Sequence, residues 1–213
     1  MTAPPLDRAL LLRRGVALEV FTVAWNVVEA IIAITAGRLA GSIALVGFGV
    51  DSVIESVSGV VLYRRLRIEQ RGADAHRAED SERRALWLVG ASFFLLAAYV
   101  GYEAVTALVR REAPEATTVG IVLAAVSLVV MPVLGWAKRR TGKRLNSAAL
   151  VADSTETFVC AYLSLALLLG VGLNTWVGWW WADAVAALAM IPLMLHEGWE
   201  AVAEAQDDHD GHD

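Results

Sequence analysis

Five side chains in this sequence have the types and spacing to hold a cation. Asp51 and Glu55 lie in one apolar stretch; Asp153, Glu156 and Cys160 lie in another. The pairs 51/55 and 156/160 are each four residues apart, so on a helix each pair shares one face. The surroundings also repeat. Residues 42–55 align without a gap on 147–160, matching Ser42 with Ser147, Ala44 with Ala149, Leu45-Val46 with Leu150-Val151, Asp51 with Glu156 and Glu55 with Cys160. Two carboxylates on one helix facing a carboxylate and a thiol on another would make a four-ligand cation site. Asp153, one turn before Glu156, is either an additional ligand on the access side or a helix-packing acceptor.

The elements that must position these residues are membrane spans. The chain is 57% hydrophobic with a mean hydropathy of +0.53, an apolar excess beyond that of ordinary soluble domains. Eight Trp, several near segment ends, fit the aromatic belts of membrane interfaces. Six segments reach the ~20 residues that a span requires: 16–37, 41–63, 86–109, 118–137, 146–171 and 176–196. The first follows Arg13-Arg14 in the manner of a secretion signal. It is long enough to span, however, and carries Asn26 and Glu29, so it is expected to be a retained helix. The expected fold is therefore an all-α integral membrane protein of six transmembrane helices in the cell (plasma or inner) membrane. Residues 1–15 would form a cytoplasmic N-terminus, 16–200 the transmembrane domain and 201–213 an acidic, His-containing cytoplasmic tail.

Of the 18 Lys and Arg, all but Arg38, Arg110 and Arg111 fall before the first span, in the second connection (64–84) or in the fourth (138–144). Basic loops stay cytoplasmic, which places both termini inside. The second and fifth spans then run in opposite directions, with their acids about 15 Å from either surface. Matched antiparallel segments with polar groups at mid-depth are the pattern of inverted-repeat transporters. A carboxylate at that depth costs roughly 2.5–3.5 kcal/mol unless paired or wetted. No basic residue falls within these two spans, so the balancing charge is expected from a cation in solution or from protons.

Other polar residues have quieter expectations. Glu29 and Glu103 suit proton handling or structural bonding, Asn26 and Ser52 suit helix–helix hydrogen bonds, and Asp183 suits a cap or a packing contact. Asp74, His76, Glu79 and Asp80 read as a solvated loop. Asp207, His209 and His212 in the tail suit weak capture of divalent metal by a disordered segment. Nucleic-acid binding has no support, because the basic residues sit in short loops and not on a folded basic face. One cysteine forms no intrachain disulfide. No nucleophile–base pair, Gly-rich phosphate loop or paired CxxC is present, so an enzyme is not expected, nor a resident cofactor.

These segments resemble the cation diffusion facilitator (cation efflux) family. The likeness is carried by Gly41-Ser-Ile-Ala-Leu-Val46 with Asp51-Ser-Val-Ile-Glu55, by Ala149-Leu-Val-Ala-Asp153-Ser-Thr-Glu156 with Cys160, by Trp181-Ala-Asp183 and by Glu103. The resemblance covers roughly residues 15–200. It implies a homodimeric transporter exporting a divalent transition metal from the cytoplasm in exchange for protons, with ligands falling on Asp51, Glu55, Glu156 and Cys160. The family's zinc carriers typically place His and Asp where this chain has Glu156 and Cys160. The chain is expected to hold the membrane domain alone, without the family's cytoplasmic C-terminal domain. Three carboxylates and a thiolate favour Zn²⁺, with Mn²⁺, Fe²⁺, Co²⁺ or Cd²⁺ as alternatives. The rival expectation is a membrane metal-binding or sensor protein that does not transport.

Overall fold

The computed structural model describes the backbone of residues 5–40, 43–72, 75–112 and 117–210. Side chains are described over the same residues apart from 5–6, 40, 43–44, 75–79, 183 and 207–210. The described residues form six helices: α1 (Pro5–Ala40), α2 (Ile43–Gln70), α3 (Ala75–Arg110), α4 (Thr118–Leu145), α5 (Ala148–Val177) and α6 (Ala182–Asp210). Each contains a stretch long and apolar enough to cross a bilayer, and no strand occurs among the described residues. The all-α, six-span expectation holds.

The helices outrun the apolar segments. Segment 138–144, read from the sequence as a link, is the last two turns of α4, and most of the charged 64–84 connection belongs to α2 and α3. Lys, Arg and Glu are good helix formers, so a charged run beyond an apolar one continues the helix instead of ending it. Likewise α6 continues to Asp210, so the tail begins as helix. Residues 211–213, with His212, lie outside the described residues, as do the side chains of His209, His76, Asp74, Glu79 and Asp183.

The true breaks are made by caps. At the α4–α5 corner Asn146 adopts the left-handed conformation (φ 53°) and its N–H donates to the Gly142 carbonyl. The next residue, Ser147, is the N-cap of α5, its hydroxyl accepting from the Leu150 N–H. Glu82 of α3 reinforces this start, accepting from the Ser147 hydroxyl at 2.8 Å and the Ala149 N–H at 2.9 Å. Negative charge there complements the positive end of the helix dipole. Glu82 also pairs with Arg65, which binds Glu69 at 3.0 Å, and Glu69 in turn binds Arg8 at 2.6 Å. This ionic belt ties α1, α2, α3 and α5 together at what is here called the basic end. The opposite, far end carries the α1–α2, α3–α4 and α5–α6 connections.

The helices pack most extensively as α1 with α2, α3 with α6 and α4 with α5. At the α3–α6 crossing two glycines meet. A Cβ on Gly90 would lie 3.0 Å from the Gly198 carbonyl oxygen, and one on Gly198 would lie 3.2 Å from that of Gly90. Small residues let helix backbones approach where lipid offers no hydrophobic driving force. Toward the basic end the interior is filled by Leu62, Leu66, Leu86, Phe93, Leu145 and Leu150. A smaller cluster around Leu45, Phe48, Met131 and Leu134 packs α1, α2, α4 and α5. Between and beside these layers lies a band of buried polar side chains.

Candidate functional site

Five of the acids in that band were singled out from the sequence: Glu29, Asp51, Glu55, Asp153 and Glu156 are all buried, as is the Cys160 thiol. Helices α2 and α5 place them in antiparallel register. Asp51 faces Cys160, Glu55 accepts a hydrogen bond from the Thr157 hydroxyl at 2.7 Å, and Glu156 stands by Ser58. As the numbers rise along α2 they fall along α5. The pairing is also reciprocal. In the sequence repeat Asp51 corresponds to Glu156 and Glu55 to Cys160. In space Asp51 adjoins Cys160, and Glu55 acts electrostatically on Glu156, second to Asp153. Exchanging the two copies maps one interacting pair onto the other, as a pseudo-twofold axis between the helices requires.

Several oxygens in this group have no hydrogen-bond partner: Asp51 Oδ2, Glu55 Oε2 and both oxygens of Glu156. Asn26 of α1 stands beside Glu55, its amide likewise unpartnered. Buried acceptors without donors are costly, and each is a place where a positive ion would be stabilised. The side chains are not gathered into a closed cage. Among the described residues no three Asp, Glu, His or Cys side chains come close enough together to hold one metal ion. Ligating one ion would require rotation of these side chains toward each other.

Glu29 is satisfied differently. It accepts from Ser52 of α2 at 2.9 Å and from Ser127 of α4, joining three helices. Ser52 thus makes the helix–helix bond expected of it, and Glu29 has the structural role that was one of its two readings.

The expectation that no fixed positive charge offsets these acids is corrected by Lys138. It is fully buried and comes from α4. Its ammonium lies 2.5 Å from Asp153 Oδ2, 3.3 Å from the Thr157 hydroxyl and 3.4 Å from Glu19 Oε2. Asp153, a candidate ligand in the sequence, here accepts from Lys138 and joins α5 to α4. Both Lys138 and Glu19 were missed. Glu19 lies inside the first apolar span, where any acid invites explanation. Lys138 is on the buried stripe Met131, Leu134, Lys138, Thr141, Leu145, whose alternating steps of three and four announce a continuing helix.

On the far-end side, a cavity of about 150 Å³ lies among α2, α3, α5 and α6 and reaches Asp51. Glu103 and Tyr99 of α3 line it with Gly47, and Tyr99 contacts Glu103. A Cβ on Gly47 would collide with the Tyr99 hydroxyl, so this glycine makes room for the phenol beside the acid. Glu103 is therefore brought near the site through this cavity.

Comparison with known proteins bears on what this arrangement does. The family model described as the cation efflux transmembrane domain matches residues 20–208. An uncharacterized transporter of Synechocystis is 30% identical over 155 residues, covering 71% of this chain and 50% of that protein. A cation-efflux pump FieF of Shewanella oneidensis is 27% identical over 156 residues, covering 70% and 51%. A cadmium, cobalt and zinc/H(+)-K(+) antiporter of Bacillus subtilis is 23% identical over 185 residues, covering 85% and 58%. The chain thus spans little more than half the length of these relatives.

Proposed function

The chain belongs to the cation efflux transmembrane-domain family and is a multi-pass membrane protein, and from this premise we propose that it carries a divalent transition-metal cation across the membrane. The observation that carries the proposal is the reciprocal facing of α2 and α5, with Asp51, Glu55, Glu156 and Cys160 buried between them and several carboxylate oxygens lacking donors. One lysine among the described interior residues offsets part of that negative charge. A dication drawn between the helices would offset more, which favours divalent over monovalent cargo.

In this reading Glu55 is the hub. Thr157 fixes one of its oxygens and leaves the other for the ion, while Asp51 and Cys160 close on it from the far-end side and Glu156 from the basic side. The carboxylates and the thiolate suit Zn²⁺ first, in tetrahedral coordination. Ligands must be deprotonated to bind, so protons arriving from one side would release the ion and supply the counter-flux. The names of the relatives, an antiporter of cadmium, cobalt and zinc among them, support both the class of ion and the exchange. With the basic end in the cytoplasm, export follows if the pH gradient drives protons inward. A second copy of the chain is the expected partner.

The test is metal flux in proteoliposomes with an imposed pH gradient. Asp51→Ala is expected to abolish Zn²⁺ flux while the purified protein remains monodisperse. Normal flux in a folded Asp51→Ala protein removes the site assignment. Metal binding without flux in the unaltered protein would instead make it a binding protein.

A further inference from the structure

The two approaches to the site differ. On the far-end side, the cavity lined by Glu103 and Tyr99 lies against Asp51. From the basic end, two layers lie in the way. The first is ionic: Lys138 of α4 with Asp153 of α5 and Glu19 of α1. The Glu19 carboxylate extends across to α2, where a Cβ on Gly59 would lie 3.3 Å from Oε2. This layer therefore joins α1, α2, α4 and α5, one turn beyond Glu55, while Ser92 of α3 stands against Ser58 and Glu156 on the remaining side. The second is apolar. Leu66, Leu62, Leu145 and Leu150 are completely buried, with Leu66 and Leu150 both packed over Gly15.

We infer that Lys138 is a tethered cation that closes the basic-end approach and holds Asp153 out of the transport site. This rests on the transport reading above and adds to it a positioning residue. A metal ion travelling from the basic end would need the carboxylates that the ammonium already holds, and it would meet a like charge there. The ammonium is also 3.3 Å from the Thr157 hydroxyl that donates to Glu55. The hydroxyl proton is turned away from the positive group toward its two acceptors, the Glu55 carboxylate at 2.7 Å and the Asp153 carbonyl at 3.2 Å. Lys138 thus favours the Thr157–Glu55 bond, the shorter of the two, without touching the cargo. To open this approach, Lys138 must leave Glu19 or Asp153, or α4 and α5 must move together away from α1.

The chain supplies its own reporter, because Cys160 is its single cysteine and lies beside Asp51. The experiment measures alkylation of Cys160 by a membrane-impermeant methanethiosulfonate. Intact cells present the far end, and inverted membrane vesicles present the basic end. The unaltered protein is expected to react from the far end at least tenfold faster than from the basic end. Lys138→Met combined with Asp153→Asn leaves the net charge unchanged and should raise the basic-end rate about tenfold, with the far-end rate retained as proof of folding. Lys138→Arg should keep the basic end closed. Should the double variant not fold, Glu19→Gln, which leaves the Lys138–Asp153 pair in place, should raise the basic-end rate about threefold. Equal reactivity from both ends in the unaltered protein overturns the inference. So does an unchanged basic-end rate in a folded double variant, or in Glu19→Gln where that substitutes for it. Labelling requires no metal, so the two readings fail separately: if Zn²⁺ does not protect Cys160 while sidedness responds as stated, the ligand assignment fails and the closure stands.

Discussion

Thr157→Val is the sharpest test of the hub. The substitution keeps the shape of the side chain and removes the hydroxyl that donates to Glu55 at 2.7 Å and accepts from Lys138 at 3.3 Å. Glu55 Oε2 already lacks a partner, so the variant leaves the whole carboxylate unpartnered by the protein's hydroxyls. Interhelical hydrogen bonds within bilayers average about 0.6 kcal/mol and reach about 1.7; bonds to charged groups are worth about 1.5–3. A loss of about 1–2 kcal/mol in metal-free stability is therefore expected. The effect on binding is larger in consequence. A group that orients a ligating carboxylate typically contributes about 10–100-fold to metal affinity. At a Zn²⁺ concentration of about 100 times the dissociation constant, binding stabilises the unaltered protein by about 2.7 kcal/mol. A tenfold weaker site retains about 1.4 kcal/mol of this and a hundredfold weaker one about 0.4. Thermal unfolding in detergent, with and without Zn²⁺, reads both quantities, and calorimetric titration checks the affinity. Thr157→Ser keeps a hydroxyl and should recover most of the loss. If Thr157→Val loses stability yet binds Zn²⁺ as tightly as before, Glu55 is not a ligand and the reasoning fails.

Two further predictions concern the frame. Gly198→Val puts a branched side chain 3.2 Å from the Gly90 carbonyl and should separate α3 from α6, seen as loss of the monodisperse gel-filtration peak. Ser147→Ala removes the N-cap of α5 and should cost about 1 kcal/mol, seen as a lowered unfolding temperature with Zn²⁺ affinity little changed.

The spans were readable because long apolar runs have few alternatives in water or lipid. The antiparallel course of the two helices that carry Asp51 and Glu55, and Glu156 and Cys160, was readable because the number and direction of the spans follow from the apolar runs. Helix ends were not. Hydropathy falls sharply at Lys138-Arg139-Arg140, which places Lys138 in a link by sequence, yet the backbone has no reason to stop helix formation before the left-handed Asn146. That one boundary hid the buried ammonium, and with it the partner of Asp153 and the purpose of Glu19. Glu82 was hidden for a related reason: its role as a cap for α5 depends on a contact 65 residues distant, which no local pattern encodes.

The tight corner at Asn146 and Ser147 also bears on how such a charged chain is inserted. Lys138 and Asp153 lie on the two arms of one helical hairpin, at equivalent heights, so their attraction needs no other part of the protein. Opposite charges joined within a single hairpin can enter the bilayer as a neutral couple during biogenesis, before the remaining helices assemble. The hairpin would then deliver a preassembled half of the ionic layer, and Glu19 would be the acid for which α1 must find its place.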